Sequence, residues 1–329
     1  MTEIACYVHG SFPRSEELVA ATRDADRGRR PISAVAAQRD LDRAGFLALQ
    51  ASAGLDYRSA GWMSWADLFR PLIDACPGLA TGALTRWFDT NTFFRAPVVV
   101  GPLELDRAAF AARLADDVGP PGTDRAPGTD RGRLGLLPGP YTFSQLAEPD
   151  TDRDALLRRV AGELVRPAAE ELRNAGVTLL HLQEPALVAR PVEADSWRHL
   201  NEALRLITDG LGIRVVVHTY YGDAGPLLAR LRELPVDAIG VDLTETDLDS
   251  LRGPWPLGLL AGCLDGRSSR PEAEAATVAL ARRILEIAQP PTLYLSSGGD
   301  LELLPRAVAE QKVRVLGAAT RRLREELGC

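Results

Sequence analysis

The run Val215-Val216-Val217-His218-Thr219-Tyr220-Tyr221-Gly222 constrains this 329-residue chain more than any other. Three β-branched residues followed at once by polar residues and glycine predict a strand buried on both faces, delivering side chains at its carboxyl end. Such a strand belongs in a parallel sheet covered by helices.

The rest of the chain repeats that unit. Ile4 to Gly10 reads as a first strand, Pro31 to Ala53 as a helix, and Gly54 to Gly61 as a second strand entered through the glycine turn that closes a helix. The same glycine stands before Val177 and before Ile213. Further strands are expected at Ala238 to Leu243, Leu257 to Leu264 and Thr292 to Asp300, with helices at 224–234, 271–288 and 302–327 between and after them. Alternation of this kind over 329 residues predicts one domain, 1–329, folded as an α/β (β/α)8 TIM-type barrel. It carries an inserted β-hairpin within Trp87 to Leu105, in which 86–91 pairs with 97–102, and a flexible loop at 119–133, where Pro-Gly-Thr-Asp-Arg occurs twice. An open doubly wound sheet is the alternative, but no G-x-G-x-x-G follows any strand.

Composition narrows the partners. With 38 basic against 45 acidic residues and a net charge of −7, the chain has no basic stripe for nucleic acid. No apolar run approaches the ~20 residues of a membrane span, and no signal peptide is read. Four cysteines without a C-x-x-C pair indicate reduced thiols. The expectation is a cytoplasmic protein with a small-molecule partner and no nucleic acid, membrane or required protein partner.

In a barrel the chemistry sits at the carboxyl ends of the strands. There the chain places Ser11 and Arg14, Gln183 and Glu184, His218, Tyr220 and Tyr221, Asp242 and Glu245, Asp265 and Arg267, and Ser296, Ser297 and Asp300. Several of these ends resemble the catalytic, C-terminal-type domain of the cobalamin-independent methionine synthases. Gly10-Ser11-Phe12-Pro13-Arg14, Trp87-Phe88-Asp89-Thr90-Asn91, Gly139-Pro140-Tyr141-Thr142, Glu184-Pro185-Ala186-Leu187, His218-Thr219-x-Tyr221 and Asp300-Leu301 to Arg306 match in order, from about residue 9 to 310.

The resemblance implies methyl transfer from 5-methyltetrahydrofolate to the thiol of homocysteine, activated by a zinc ion held by His, Cys, an acid and Cys. His218 matches the first ligand. The second position is Tyr220, the third is Asp242 in place of Glu, and the last is Gly299. Zinc takes about four ligands, or three plus substrate, so His218 and Asp242 fall short. No metal is expected; if one is retained, Cys263, which shares strand parity with Asp265, is the candidate third ligand. The two carboxylates that meet the ammonium of homocysteine become Trp62 and Gln183, and a buried ammonium without a counter-charge costs roughly several kcal/mol. Arg267 stands where the family has a catalytic histidine, and its planar donor fork suits a carboxylate or phosphate.

The implied catalytic set is therefore His218, Asp242, Tyr220, Glu184 and Arg267, with Ser11, Trp62, Asp89, Asn91, Gln183 and Asp265 binding substrate. The expected function is methionine-synthase-like, folate-dependent methyl transfer to an altered, anionic acceptor in place of homocysteine. A metal-free lyase or decarboxylase on the same barrel and a non-catalytic ligand-binding descendant are the alternatives.

Overall fold

The structure is a computed structural model describing residues 2–118, 132–149, 152–190 and 192–328. Its strands are β1 (Glu3–Cys6), β2 (Tyr57–Arg58), β3 (Leu79–Arg86), β4 (Phe93–Val99), β5 (Gly132–Pro138), β6 (Val177–Gln183), β7 (Arg214–Thr219), β8 (Ala238–Asp242), β9 (Gly258–Leu264) and β10 (Thr292–Ser297). Eight of them form one parallel sheet in the order β1-β10-β9-β8-β7-β6-β5-β2. The ends of that order meet. Asp56 N–H donates to the Cys6 carbonyl at 2.9 Å, and the Asp56 carboxylate accepts from Cys6 N–H at 2.8 Å and from Arg324 at 2.6 Å. The sheet is a (β/α)8 barrel with its seam between β1 and β2.

Strand parity sorts the core into two clusters. Val215 and Val217 of β7, Leu180 and Leu182 of β6, and Ile239 and Val241 of β8 join the large layer between sheet and helices. Val216, Leu179, Ala238, Leu260, Tyr7 and Tyr294 instead form a separate cluster inside the barrel. This period of two explains why Val215–Val217 reads as unbroken apolar sequence: both faces are buried.

The last helix, Arg306–Leu327, buries Ala309, Val313, Leu316, Thr320 and Leu323, which recur at helical spacing. It crosses the helix Ile32–Ala53 so closely that a Cβ at Gly317 would lie 2.0 Å from the Ala53 carbonyl oxygen. Gly54, at φ 78°, ends that earlier helix by donating its N–H to Ala51 and Gln50.

Three sequence expectations shift. The hairpin is present, but it pairs β3 with β4, so that 87–92 form its tip and not a strand. The helix expected at 224–234 is a 3₁₀ turn, Gly225–Leu227, and one α turn, Leu228–Leu231. Of the loop expected at 119–133, residues 119–131 lie outside the described residues, and Gly132 and Arg133 already belong to β5. Among the described residues no helix is long and apolar enough to cross a membrane.

Candidate active site

At the carboxyl end of the barrel, inward parity places His181 and Gln183 in β6, His218 in β7 with Tyr220 after it, and Asp242 at the end of β8. His9 follows β1 with the parity of Tyr7. These side chains fit because their neighbours are small: a Cβ at Gly240 would lie 2.6 Å from His218, and one at Gly298 2.4 Å from Asp242. Gly10 leaves the same kind of space for Asp300, where an added Cβ would lie 1.8 Å from Oδ1.

A directed hydrogen-bond chain crosses the mouth. Burial raises the Tyr220 phenol well above its ordinary value, so it stays protonated and donates to Gln183 Oε1 at 2.9 Å. That orients the amide, whose Nε2 donates to Asp300 Oδ1 at 2.7 Å and faces His9 Nδ1 at 3.4 Å. His9 is then an acceptor at Nδ1 and a donor at Nε2, which meets the Ser297 carbonyl at 3.0 Å. Burial pushes Asp300 up to about 7, the amide bond from Gln183 opposing it, and lowers His9 to about 4. Burial also holds His181 and His218 well below the ordinary histidine range.

Above this chain opens a cleft. Trp65, Trp87, Phe93, Phe94 and Tyr221 wall it, and Asp67, Asp300 and Glu302 are its acids. Two bulky residues beside it are held in the left-handed region, Trp62 at φ 48° and Tyr221 at φ 64°, conformations that concentrate at functional sites.

The residues picked out by sequence fall into two groups. Gln183, Tyr220 and Ser11 come together with Asp300; Ser11 donates its N–H to Asp300 Oδ2 at 3.4 Å and lines the cleft. Trp62 is fully buried against Trp65 and forms part of the filling of the barrel beneath the cleft. Glu184 accepts from the N–H groups of Tyr141 at 2.8 Å and Thr142 at 2.6 Å, capping the helix Pro140–Leu146. Burial takes its carboxyl to about 7. Arg267 is engaged by Glu245 and lies 5.4 Å above the Tyr221 ring, so the cation expected to meet an anionic acceptor already has a carboxylate partner. Asp265 accepts from Arg267 N–H at 2.8 Å within its own turn. Asp89 and Asn91 are exposed at the hairpin tip and do not line the cleft; Thr90 ties that turn, donating to the Trp87 carbonyl at 2.6 Å.

The zinc implied by the resemblance does not fit the residues in its place. Tyr220 is committed to Gln183, and Asp242 accepts from Thr244 N–H at 3.0 Å and Thr244 Oγ1 at 2.6 Å. A Cβ at Gly299 would lie 3.0 Å from the Tyr221 ring, which occupies the space of the missing thiolate. Cys263 corrects the parity reading: it shares the outward face of Leu259 and Ala261, and its thiol donates to the Ser296 carbonyl at 3.4 Å. The strand ends at Leu264, before the alternation could carry from Cys263 to Asp265.

Sequence reading passed over His9 and His181, and the signal was available: His181 stands two residues before Gln183, as His218 stands two before Tyr220.

Fold and site together define a (β/α)8-barrel protein with an aromatic-walled cleft at its carboxyl face. Residues 78–288 match the family model "Cobalamin-independent synthase, N-terminal domain", and the chain belongs to that family. It is 24% identical over 335 residues to a methionine synthase of Sulfurisphaera tokodaii, covering 97% of this chain and 92% of that one. It is 27% identical over 240 residues to the 5-methyltetrahydropteroyltriglutamate–homocysteine methyltransferase of Herpetosiphon aurantiacus, covering 71% of this chain and 31% of that longer one. Its fold matches the solved structure of a putative vitamin-B12-independent methionine synthase from Listeria monocytogenes with a TM-score of 0.72 at 15% identity, covering 99% of each chain.

Proposed function

We propose that the chain transfers a methyl group from a reduced pterin of the 5-methyltetrahydrofolate type to a small-molecule acceptor other than zinc-activated homocysteine. The observation that carries this reading is the aromatic-walled cleft with carboxylates in its lining. A pterin is flat, so it suits aromatic walls, and its ring N–H groups suit carboxylate acceptors. The relatives named as methyltransferases support the reaction type.

Methyl transfer leaves the donor nitrogen short of a proton and the acceptor with one to lose. A carboxyl that titrates near 7, as Asp300 does, is matched to moving that proton at neutral pH. The acids of the cleft and the pairing of Arg267 with Glu245 favour a neutral or protonated acceptor over the anionic one expected from sequence. The lyase reading loses the free cation it relied on, and no observation favours it.

Calorimetric titration of the whole chain tests this. 5-Methyltetrahydrofolate is expected to bind saturably, and homocysteine to bind neither alone nor with release of its thiol proton. Absence of folate binding at tens of micromolar protein would overturn the donor assignment; homocysteine binding with proton release would overturn the acceptor assignment.

A further inference from the structure

Around His218, the position that matches the family's first zinc donor, the barrel gathers two further imidazoles. His9, His181 and His218 are all buried, and one ring nitrogen from each lies within 4.8 Å of the other two. Among the described residues this is the only group of three or more His, Cys, Asp or Glu side chains so arranged.

The hydrogen bonds around the cluster are unbalanced. The far nitrogens of two rings are held: His9 Nε2 donates to the Ser297 carbonyl, and His181 Nδ1 meets the Tyr7 hydroxyl at 3.1 Å. With Nδ1 of His181 donating to the phenol oxygen, Nε2 keeps a bare lone pair, whereas Nδ1 of His9 accepts only the long 3.4 Å bond from Gln183 Nε2, which an ion would replace. That His181 Nε2 has no hydrogen-bond partner, and neither nitrogen of His218 has one. Leaving a buried polar atom unpaired costs about 1–3 kcal/mol, and one ion bound by His181 Nε2 and a single nitrogen of His218 would satisfy two of these three atoms.

We propose that His9, His181 and His218 bind one divalent transition-metal ion of the zinc, cobalt or nickel kind through three neutral imidazole nitrogens. Neutral imidazole suits these ions, and three nitrogens with one open position make a complete protein donor set. The bonds from Ser297 and Tyr7 are the outer contacts that fix ring tautomers in metal sites. Asp300 Oδ1, 3.8 Å from His9 Nδ1, adds negative charge on the mouth side.

The geometry sets what binding requires. Atoms no more than 4.8 Å apart lie within about 2.8 Å of a common point, against roughly 2.0–2.1 Å for a zinc–nitrogen bond. His9 and His181 are stacked at 4.2 Å and 13°, and His218 crosses both at 89°. Coordination therefore draws each nitrogen inward by about 0.7 Å and fans the stacked pair apart. The site does not rest on the methyl-donor reading, since it is measured without either substrate.

The test is titration of the chelator-stripped whole chain with Co²⁺, followed by visible absorption, and with Zn²⁺ by calorimetry. One equivalent with cobalt ligand-field bands is expected. His9→Gln and His181→Gln should each weaken the affinity by about a hundredfold. Asp242→Asn, which removes the acid retained at the family's zinc position, should change it less than about threefold. The site is overturned by the absence of saturable binding, by binding that survives both histidine substitutions, or by loss of binding in Asp242→Asn alone. If both histidine variants unfold, Tyr7→Phe decides: an affinity about tenfold weaker supports the site, and an unchanged one overturns it.

Discussion

Asp300 shows how much one side chain can reorganise. The ammonium-binding carboxylate implied at position 183 is a glutamine here, yet a carboxylate stands 2.7 Å from that amide, in space that Gly10 leaves open. Its pKa is raised from 3.8 to about 7, so the folded protein holds a proton that the unfolded chain has released between those values. Stability attributable to this group therefore falls as pH rises from 4 to 7 and stays low above. Asp300→Asn removes the cost of charging it. The variant should gain in Tm over the parent progressively between pH 4 and pH 8, and a pH-independent difference would show that Asp300 is not the titrating group. Sequence picked out Gln183 and Tyr220 by motif position, but their partnership with Asp300 depends on a contact between residues 117 positions apart.

At the level of elements, the strand and helix alternation was largely readable because periodicity records burial directly. The hairpin was readable in kind but not in register, since 86–91 mixes strand-favouring Trp87, Phe88 and Thr90 with the turn formers Asp89 and Asn91, and pairing of β3 with Phe93–Val99 settles which residues turn. Glu184 illustrates a role that only an element could assign. Its two oxygens close the start of the helix Pro140–Leu146, and Gly139 lacks a Cβ because that atom would lie 2.0 Å from the Glu184 side chain. Glu184→Gln turns one acceptor into a donor facing a backbone N–H. It is expected to cost about 2–3 kcal/mol, read as a lower urea midpoint with unchanged slope. A midpoint equal to the parent's would mean that the cap is dispensable.

For the molecule as a whole, closure at the β1–β2 seam is the decisive event. β2 is two residues long, so backbone pairing alone holds little of it. Asp56 does the rest, tying Cys6 N–H to the Arg324 guanidinium of the last helix. Removing Asp56 leaves the buried Cys6 N–H without its acceptor, while Arg324 keeps the Ile4 carbonyl, so Asp56→Ala should destabilise by about 1–3 kcal/mol and speed hydrogen exchange at the Cys6 amide. Exchange at Cys6 unchanged from the parent would place the closing interaction elsewhere.

The sequence by itself determined the barrel and its polar carboxyl face, because these follow from local periodicity and from residue identity at the strand ends. Only the tertiary structure decided which neighbours each side chain has. It turned Cys263 outward, paired Arg267 with Glu245, seated Tyr221 against Gly299, and brought His9, His181 and His218 from three strands to within 4.8 Å. Parity names the face a residue occupies; strand order and barrel closure alone say what it meets there.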